Sequence, residues 1–273
     1  MAAIPGFFQY SSNIWIQDPV TLALGGYAYR REVARVLDLI RGTHSGRTLF
    51  RFINLNKQGL FIRPFQPTPG NPVNAAAQPV NVRDATRSGT STMRAVPSAG
   101  ETTIMLPTGS VGTGAGTMVR LFFHPANAQQ VIVNKGGKID PGDGAGEKLF
   151  HEMVHALRML EGIFSGATIA EGLTDGIHMD DEEEFCAIAA QNVYRSERGF
   201  KQLRKDHHGH NKLGSALEDS ESYYEEFKDS FEDWYSTQKL FCLEMANVKT
   251  KFNPFVVLAY AHGLKPVTPM AHR

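Results

Sequence analysis

Apolar residues recur along this chain with two different periods, and the changes of period mark its elements. From Arg30 to Ile40, Val33, Val36, Leu37 and Ile40 return at helical spacing, which predicts an amphipathic helix that stops at Gly42. Thr48 to Leu55, with Leu49, Phe50, Phe52, Ile53 and Leu55, reads as a strand, and Leu60 to Phe65 reads as a second one after a glycine turn, the two together suggesting a hairpin. Residues 66 to 102 are rich in Pro, Asn, Ser, Thr, Gly and Ala and carry little periodicity, so a flexible insertion or a lid over a cleft is expected there. Order is expected to return at Thr103 to Leu106. A glycine-rich run (Gly109, Gly112, Gly114, Gly116) then leads into a strand from Met118 to Phe123 that ends at His124-Pro125, and Val131 to Val133 reads as a further short strand. Glycines before an exposed strand suit a backbone that must lie close to something, such as an extended peptide.

The second half is helical. Pro141 to Gly146 reads as a turn, and the stretch from Glu147 to Glu161 as an apolar helix without proline. Gly166 to Asp181 reads as a loop. Glu182 to Glu197 forms a helix with Phe185, Ile188, Ala189 and Val193 on one face and acidic residues at its start, where the helix dipole favours them. Ser220 to Val248 is expected to be one long aromatic helix (Tyr223, Tyr224, Phe227, Phe231, Trp234, Tyr235, Phe241), and Phe255 to Tyr260 a short apolar element. No internal repeat stands out. The layout is α+β, strands before helices, and a single domain over residues 1–273 with a C-terminal helical part over 218–260 is expected.

Composition narrows the function. Lysine plus arginine and aspartate plus glutamate balance at 28 each, so no basic field favours nucleic acid. The two cysteines, Cys186 and Cys242, form no CxxC pair, which argues against a disulfide framework and a cysteine-rich zinc site. No apolar run reaches membrane-spanning length, and Met1 to Tyr10 lacks the pattern of a cleaved secretory signal. The glycine run lacks a GxxxxGK[ST] sequence and precedes a strand rather than a helix, so a phosphate loop is a weak reading.

The chemistry is concentrated in His151-Glu152-Met153-Val154-His155, an HExxH sequence. Histidines four apart project from one face of a helix and can share one zinc ion. Glu152 then lies beside the metal, placed to act as general base on a water held there. A buried core helix has no use for a charged Glu152 between the two rings. A catalytic zinc needs a third protein ligand and an open position. One extension of the motif puts that ligand six residues after the second histidine, following a helix-breaking glycine. Here those places hold Glu161 and Arg158, and a helix continuing through Arg158 turns Glu161 away from the metal. The other extension, that of zinc peptidases with a glutamate ligand, takes it from a downstream helix. Glu183 and Glu184 both qualify, each with Ala187 a turn further on, and Glu184 is favoured because it shares a face with Ile188. Glu171 is a more distant candidate.

Several of these stretches together resemble the NleD-like zinc metallopeptidases, bacterial effector and toxin domains delivered into other cells. The likeness runs from Gly42-Thr-His-Ser-Gly46-Arg47-Thr-Leu49, through the glycine-rich strand (Gly112 to Thr117, Leu121 to Pro125) and His-Glu-Met-Val-His-Ala, to Glu-Glu-Phe and Asn192-Val-Tyr-Arg195-Ser-Glu197-Arg-Gly199. It covers about residues 40 to 210. The resemblance implies a gluzincin-type, zincin-like metalloprotease fold, with a small, mostly antiparallel sheet whose edge strand binds extended peptide, then a motif helix and a ligand helix. It implies one Zn2+ held by His151, His155 and Glu184, with Glu152 as base. The 66–102 stretch and the long aromatic helix have no place in it, so no particular substrate is inherited.

The developing oxyanion also needs a donor. The cluster Arg204-Lys205-Asp206-His207-His208-Gly209-His210 supplies the best candidates, His207 and His208, with Tyr194 and Arg195 as alternatives better explained by helix packing. His124 reads as structural. The expectation is a zinc-dependent endopeptidase acting on a protein or peptide, a bacterial effector or toxin made in the bacterial cytoplasm and secreted without a cleaved signal into a target cell. A cognate immunity or inhibitor protein is an expected partner. The rival expectation is a non-catalytic zinc-containing module that grips a protein through the glycine strand and the aromatic helix.

Overall fold

Ile14, Ile16, Leu60, Ile62, Val119, Leu121 and Phe123 occupy alternate positions on three short strands, and all are fully buried. They form the inner face of a five-stranded sheet. The structure, a computed structural model, describes residues 4–18, 26–65, 75–87, 112–125, 141–142, 144–169, 171, 177, 179–207 and 211–265. Strand β1 (Phe7–Ser11) pairs antiparallel with β2 (Ile14–Gln17), which pairs parallel with β3 (Leu60–Pro64). Strand β4 (Ala75–Pro79) runs antiparallel to β5 (Val119–Phe123), and β5 runs parallel to β3, giving the order β1-β2-β3-β5-β4. The sheet is therefore mixed rather than mostly antiparallel. The parallel step from β2 to β3 needs a crossover, and two helices, α1 (Gly26–Arg41) and α2 (His44–Leu55), supply it.

Helix α2 replaces the strand expected at Thr48–Leu55, and with it the expected hairpin. Leu49, Phe50 and Ile53 are its buried face, a helical spacing, while Leu55 is 70% exposed. The helix start is built by capping. Thr43 Oγ1 accepts from Gly46 N at 3.0 Å, and the Glu197 carboxylate accepts from His44 N and from Ser45 N at 2.9 Å. Glu197 is far away in sequence, which is why a local reading misses it.

The expected insertion at 66–102 is structured where it is described. It contributes β4 and the short helix α3 (Val82–Ala85), and residues 66–74 and 88–111 lie outside the described residues. So do the elements expected at Thr103–Leu106 and Val131–Val133. The glycine strand is not exposed. β5 is covered on both edges by β3 and β4, and the glycines before it lie against the chain itself.

Helix α4 (Ala145–Glu161) carries the HExxH sequence and crosses the inner face of the sheet. It ends at Gly162, whose φ of 74° gives a left-handed cap with its N–H on Arg158 O and Met159 O. Gly116, at φ 76°, passes this end so closely that a Cβ would sit 2.1 Å from Leu160 O. The glycines thus seat the sheet on the C-terminal end of the motif helix. Helix α5 (Glu182–Glu197) packs alongside α4 with the bounds its periodicity predicts.

The long aromatic helix is broken. Helix α6 (Ser220–Glu226) and helix α7 (Lys228–Ala246) meet at Phe227, and α8 (Pro254–Ala261) follows behind an Asn253 cap. Glu171 makes the break at Phe227 possible, because its carboxylate accepts from Asp229 N at 2.9 Å and Ser230 N at 3.2 Å and so starts a new helix. Its aromatics pack inward. Phe185 of α5 lies among Phe227, Phe231 and Trp234 at centroid distances of 5.3, 5.0 and 6.4 Å. Among the described residues no helix is long and apolar enough to cross a membrane.

Gly116→Ala tests the seat of the sheet on α4. Its left-handed backbone alone should cost about 1–3 kcal/mol, with the collision at Leu160 added, and a denaturant melt should show the loss.

Candidate metal centre

The HExxH spacing places His151 and His155 one turn apart on the buried face of α4, with 5% and 7% of their surface exposed. Their Nε2 atoms approach to 3.1 Å, with the rings edge to face. Glu184, in the first turn of α5, turns its carboxylate into the same space. Oε2 lies 3.2 Å from His151 Nε2 and Oε1 3.5 Å from His155 Nε2. Asp181 caps that turn, accepting from Glu184 N at 3.0 Å, so the direction of the Glu184 side chain is set by the start of its helix.

These residues fit a metal ion. His151, His155 and Glu184 form the cluster of potential ligands found among the described residues, each offering one donor atom within 4.8 Å of the others. A tetrahedral zinc with bonds of about 2.05 Å asks for donor separations of about 3.3 Å, and the observed approaches of 3.1, 3.2 and 3.5 Å surround that value. Glu184 Oε2 is buried and has no hydrogen-bond partner among the described residues. Two imidazoles and one carboxylate are also the donor set that suits zinc.

The charge of the pocket suits a cation. Burial pushes the His151 pKa down to about 3, so that ring is a neutral lone-pair donor. Burial also opposes charge on His155, but the carboxylates of Glu184, Glu183 and Glu152 outweigh it and raise its pKa well above the usual value. Desolvation also opposes charge on Glu184, yet the two imidazoles hold its pKa well below the usual carboxylate range. The pocket carries buried negative charge that a proton on His155 offsets, and a divalent cation would displace that proton.

Glu152 stands on the same helix beside the cluster. Burial raises its pKa, and Oε2 accepts from Ala77 N of β4 at 2.9 Å. That strand is the edge of the sheet, so the carboxylate sits where the sheet edge meets the three donors. Ala77 pairs with Leu121 in register and packs with Ala75 against the core. Small side chains there let the strand backbone come within hydrogen-bond reach of α4.

His207 also reaches the cluster. Its ring lies over His151 with centroids 6.5 Å apart and planes 15° from parallel, and its Nε2 is 3.8 Å from Glu184 Oε2. Asp180 Oδ2, 2.6 Å from Nδ1, fixes the ring. His208 lies outside the described residues. The segment bearing His207 is a narrow antiparallel ribbon, with Lys205 N on Asn211 O at 2.8 Å and Leu213 N on Leu203 O at 2.9 Å. Helix α5 clips it in place. Asn192 exchanges two hydrogen bonds with the Arg204 backbone, at 2.9 and 2.7 Å, and Arg195 Nε donates to Gln202 O at 2.7 Å.

The other candidates have different tasks. Glu161 accepts from Gln238 Nε2 at the far end of α4, and Glu171 caps α7, so neither is brought to the cluster. Glu183 is buried one residue from Glu184, but Oε1 accepts from Arg158 Nε and Ser165 N, both at 2.7 Å. Tyr194 stacks on Phe150, and Arg195 pairs with Glu147, both within the helix packing. His124 ends β5 and is outside the cluster. Sequence reasoning missed four participants: Asp180, Ala77, Arg158 and Arg204. Arg204 is buried, donates to Asp206 O and His207 O, and brings Nη1 to 3.4 Å from His151 Nδ1. The signal for Arg158 was available, since an arginine three residues after His155 interrupts an otherwise apolar helix face.

No protein-family model matches the chain, and no curated protein sequence matches it. Among solved structures it is similar to the catalytic domain of Clostridium botulinum neurotoxin serotype F, at 11% identity and a TM-score of 0.41 over 98% of this chain and 80% of that one. It is also similar to the Clostridium botulinum neurotoxin serotype F light chain (12% identity, TM-score 0.37, 96% and 80% covered). A third similar structure is the botulinum neurotoxin type G light chain (13% identity, TM-score 0.33, 99% and 79% covered). Superposition this loose carries no functional argument, which leaves the chemistry to the side chains above.

Elemental analysis of the purified chain should find near-stoichiometric zinc. Glu184→Ala should weaken zinc by more than about 100-fold, beyond what removal of an outer partner costs, whereas Glu161→Ala and Glu171→Ala should keep it.

Proposed function

We propose that the protein is a zinc-dependent endopeptidase that hydrolyses a peptide bond in a protein substrate. The observation that carries this reading is the convergence of His151, His155 and Glu184 with the Glu152 carboxylate beside them at a sheet edge. A purely structural zinc site needs no base and is closed by a fourth protein ligand. Among the described residues the cluster has three.

When bound, zinc supplies a Lewis acid that polarises the scissile carbonyl and acidifies water. Glu152 takes the proton of the attacking water on its carboxylate and returns it to the leaving amine. The hydrogen bond from Ala77 N engages Oε2 and leaves Oε1 for that exchange. Burial raises the proton affinity of Glu152, as suits a general base at neutral pH. His207, held by Asp180, donates from Nε2 to the developing oxyanion. His208 belongs to the same segment and remains part of the proposal for that donor.

Substrate enters as an extended segment along β4, the edge strand, whose alanines leave room for its side chains. The expected peptide-binding edge is thus moved from the glycine strand to β4. The catalytic unit is a single zincin-like domain over 1–273. The NleD-like resemblance supports a bacterial effector or toxin, made in the bacterial cytoplasm and delivered into a target cell, with a cognate immunity or inhibitor protein. The rival binding module loses its gripping surfaces, because Tyr223, Phe227, Phe231 and Trp234 are all fully buried and β5 is an interior strand.

Incubating the zinc-loaded protein with a proteome-derived peptide library and reading new termini by mass spectrometry tests the activity. Glu152→Gln should keep fold and zinc while cleavage falls by about 10²–10⁴-fold. His207→Ala should lower kcat by about 10²–10³-fold with zinc retained. A Glu152→Gln protein that still cuts as the wild type does would end the peptidase reading.

A further inference from the structure

Two buried atoms next to the metal cluster have no hydrogen-bond partner among the described residues, and they face each other. His155 Nδ1 and Glu183 Oε2 lie 3.8 Å apart. His155 turns Nε2 toward His151 and Glu184, so a metal bound there requires the ring proton on Nδ1, where it needs an acceptor. Glu183 is built to be that acceptor. It is 1% exposed, and its Oε1 is already held by Arg158 Nε and Ser165 N, which leaves Oε2 to face the ring.

Glu183 is held by Arg158 of α4, and Arg158 in turn meets the C-terminal helices. Arg158, fully buried, divides its donors between Glu183, Glu182 Oε1 at 3.0 Å, Ile163 O at 3.4 Å and Gln238 Oε1 at 3.3 Å. Gln238 sits at a non-helical point inside α7 (φ −132°, ψ 45°), where its side chain also accepts from Trp234 Nε1 at 2.7 Å and donates to Glu161. Trp234 lies under the Arg158 guanidinium, 5.8 Å from ring centroid to Cζ. A kinked helix, a buried arginine and one carboxylate thus form a continuous chain of contacts ending at His155.

We infer that Glu183 is a positioning residue of the metal centre: it accepts a hydrogen bond from His155 Nδ1 and so aims Nε2 at the ion, held in place by Arg158 of α4, which Gln238 of α7 engages in turn. This rests on the metal-centre reading above. The two adjacent glutamates then divide the work, Glu184 as ligand and Glu183 as orienter. Phe164, 6.2 Å from the His155 ring centroid, limits the ring further.

The test is the zinc dissociation constant of the full chain, by competition with a chromophoric chelator, alongside the unfolding temperature of each zinc-free form. Glu183→Gln should weaken zinc by about 10–100-fold. Glu182→Gln also removes an Arg158 partner but does not face His155, and it should leave zinc affinity unchanged. If Glu183→Gln fails to fold, Glu183→Asp keeps the charge and retracts it from the ring, and it should weaken zinc in the same direction. Unchanged affinity in the Glu183 variant, or an equal loss in the Glu182 variant, overturns the inference while leaving the metal centre standing. A wild-type chain that takes up no zinc removes the metal centre itself, and the inference with it.

Discussion

Crowding three consecutive carboxylates, two of them buried, into the first turn of one helix is the constraint on which the rest of this structure depends. Glu182 and Glu183 are 4% and 1% exposed, and Glu184 turns into the metal cluster beside them. Such charge is tolerated in an interior only when it is paired and hydrogen-bonded. The positive end of α5 offsets part of it. Arg158 meets Glu182 and Glu183 directly, and Arg87 reaches Glu182 from the segment after α3. Burial nevertheless pushes the Glu182 pKa up to about 7. The imidazoles of His151 and His155 answer Glu184. Removing any one partner would leave an uncompensated charge, so the helices around α5 are tied to its first turn.

That demand reaches the C-terminal helices. Gln238 meets Arg158, Trp234 and Glu161 together at a point where the backbone of α7 leaves helical geometry. The break at Phe227 and the irregular backbone at Gln238 make this possible, and Glu171 stabilises the new helix start. The aromatic residues then close over Phe185 and bury the far side of α5. The C-terminal part is in this sense the back wall of the metal centre.

A second set of contacts fixes the sheet relative to α4. Gly116 and Gly162 remove the Cβ atoms that would hold the two backbones apart, and hydrogen bonds from Thr113 and Gly114 to Arg83 and Thr86 tie the same segment to α3. With β5 seated in this way, its antiparallel neighbour β4 lies along the motif helix, and Ala77 N–H reaches Glu152. The glycines serve close packing within the chain, and β4 takes the free edge.

Much of the site was legible because it is local. Two histidines and a glutamate at HExxH spacing share a helix face wherever that helix goes, and the bounds of α5 follow from its acidic start and its apolar period. Short-range periodicity determined α4 and α5 and put His151 and His155 on one helix face with no knowledge of the fold. Tertiary structure decided what depends on residues distant in sequence. It turned 44–55 into a helix through Glu197, made an edge strand of three alanines, turned Glu184 into the histidine cluster and Glu183 onto Arg158, and broke the aromatic helix at Phe227 and Gln238. The physical reason is that hydrogen-bond partners and charge compensation in an interior are met by whatever packs there, and the chain's local pattern does not say what that will be.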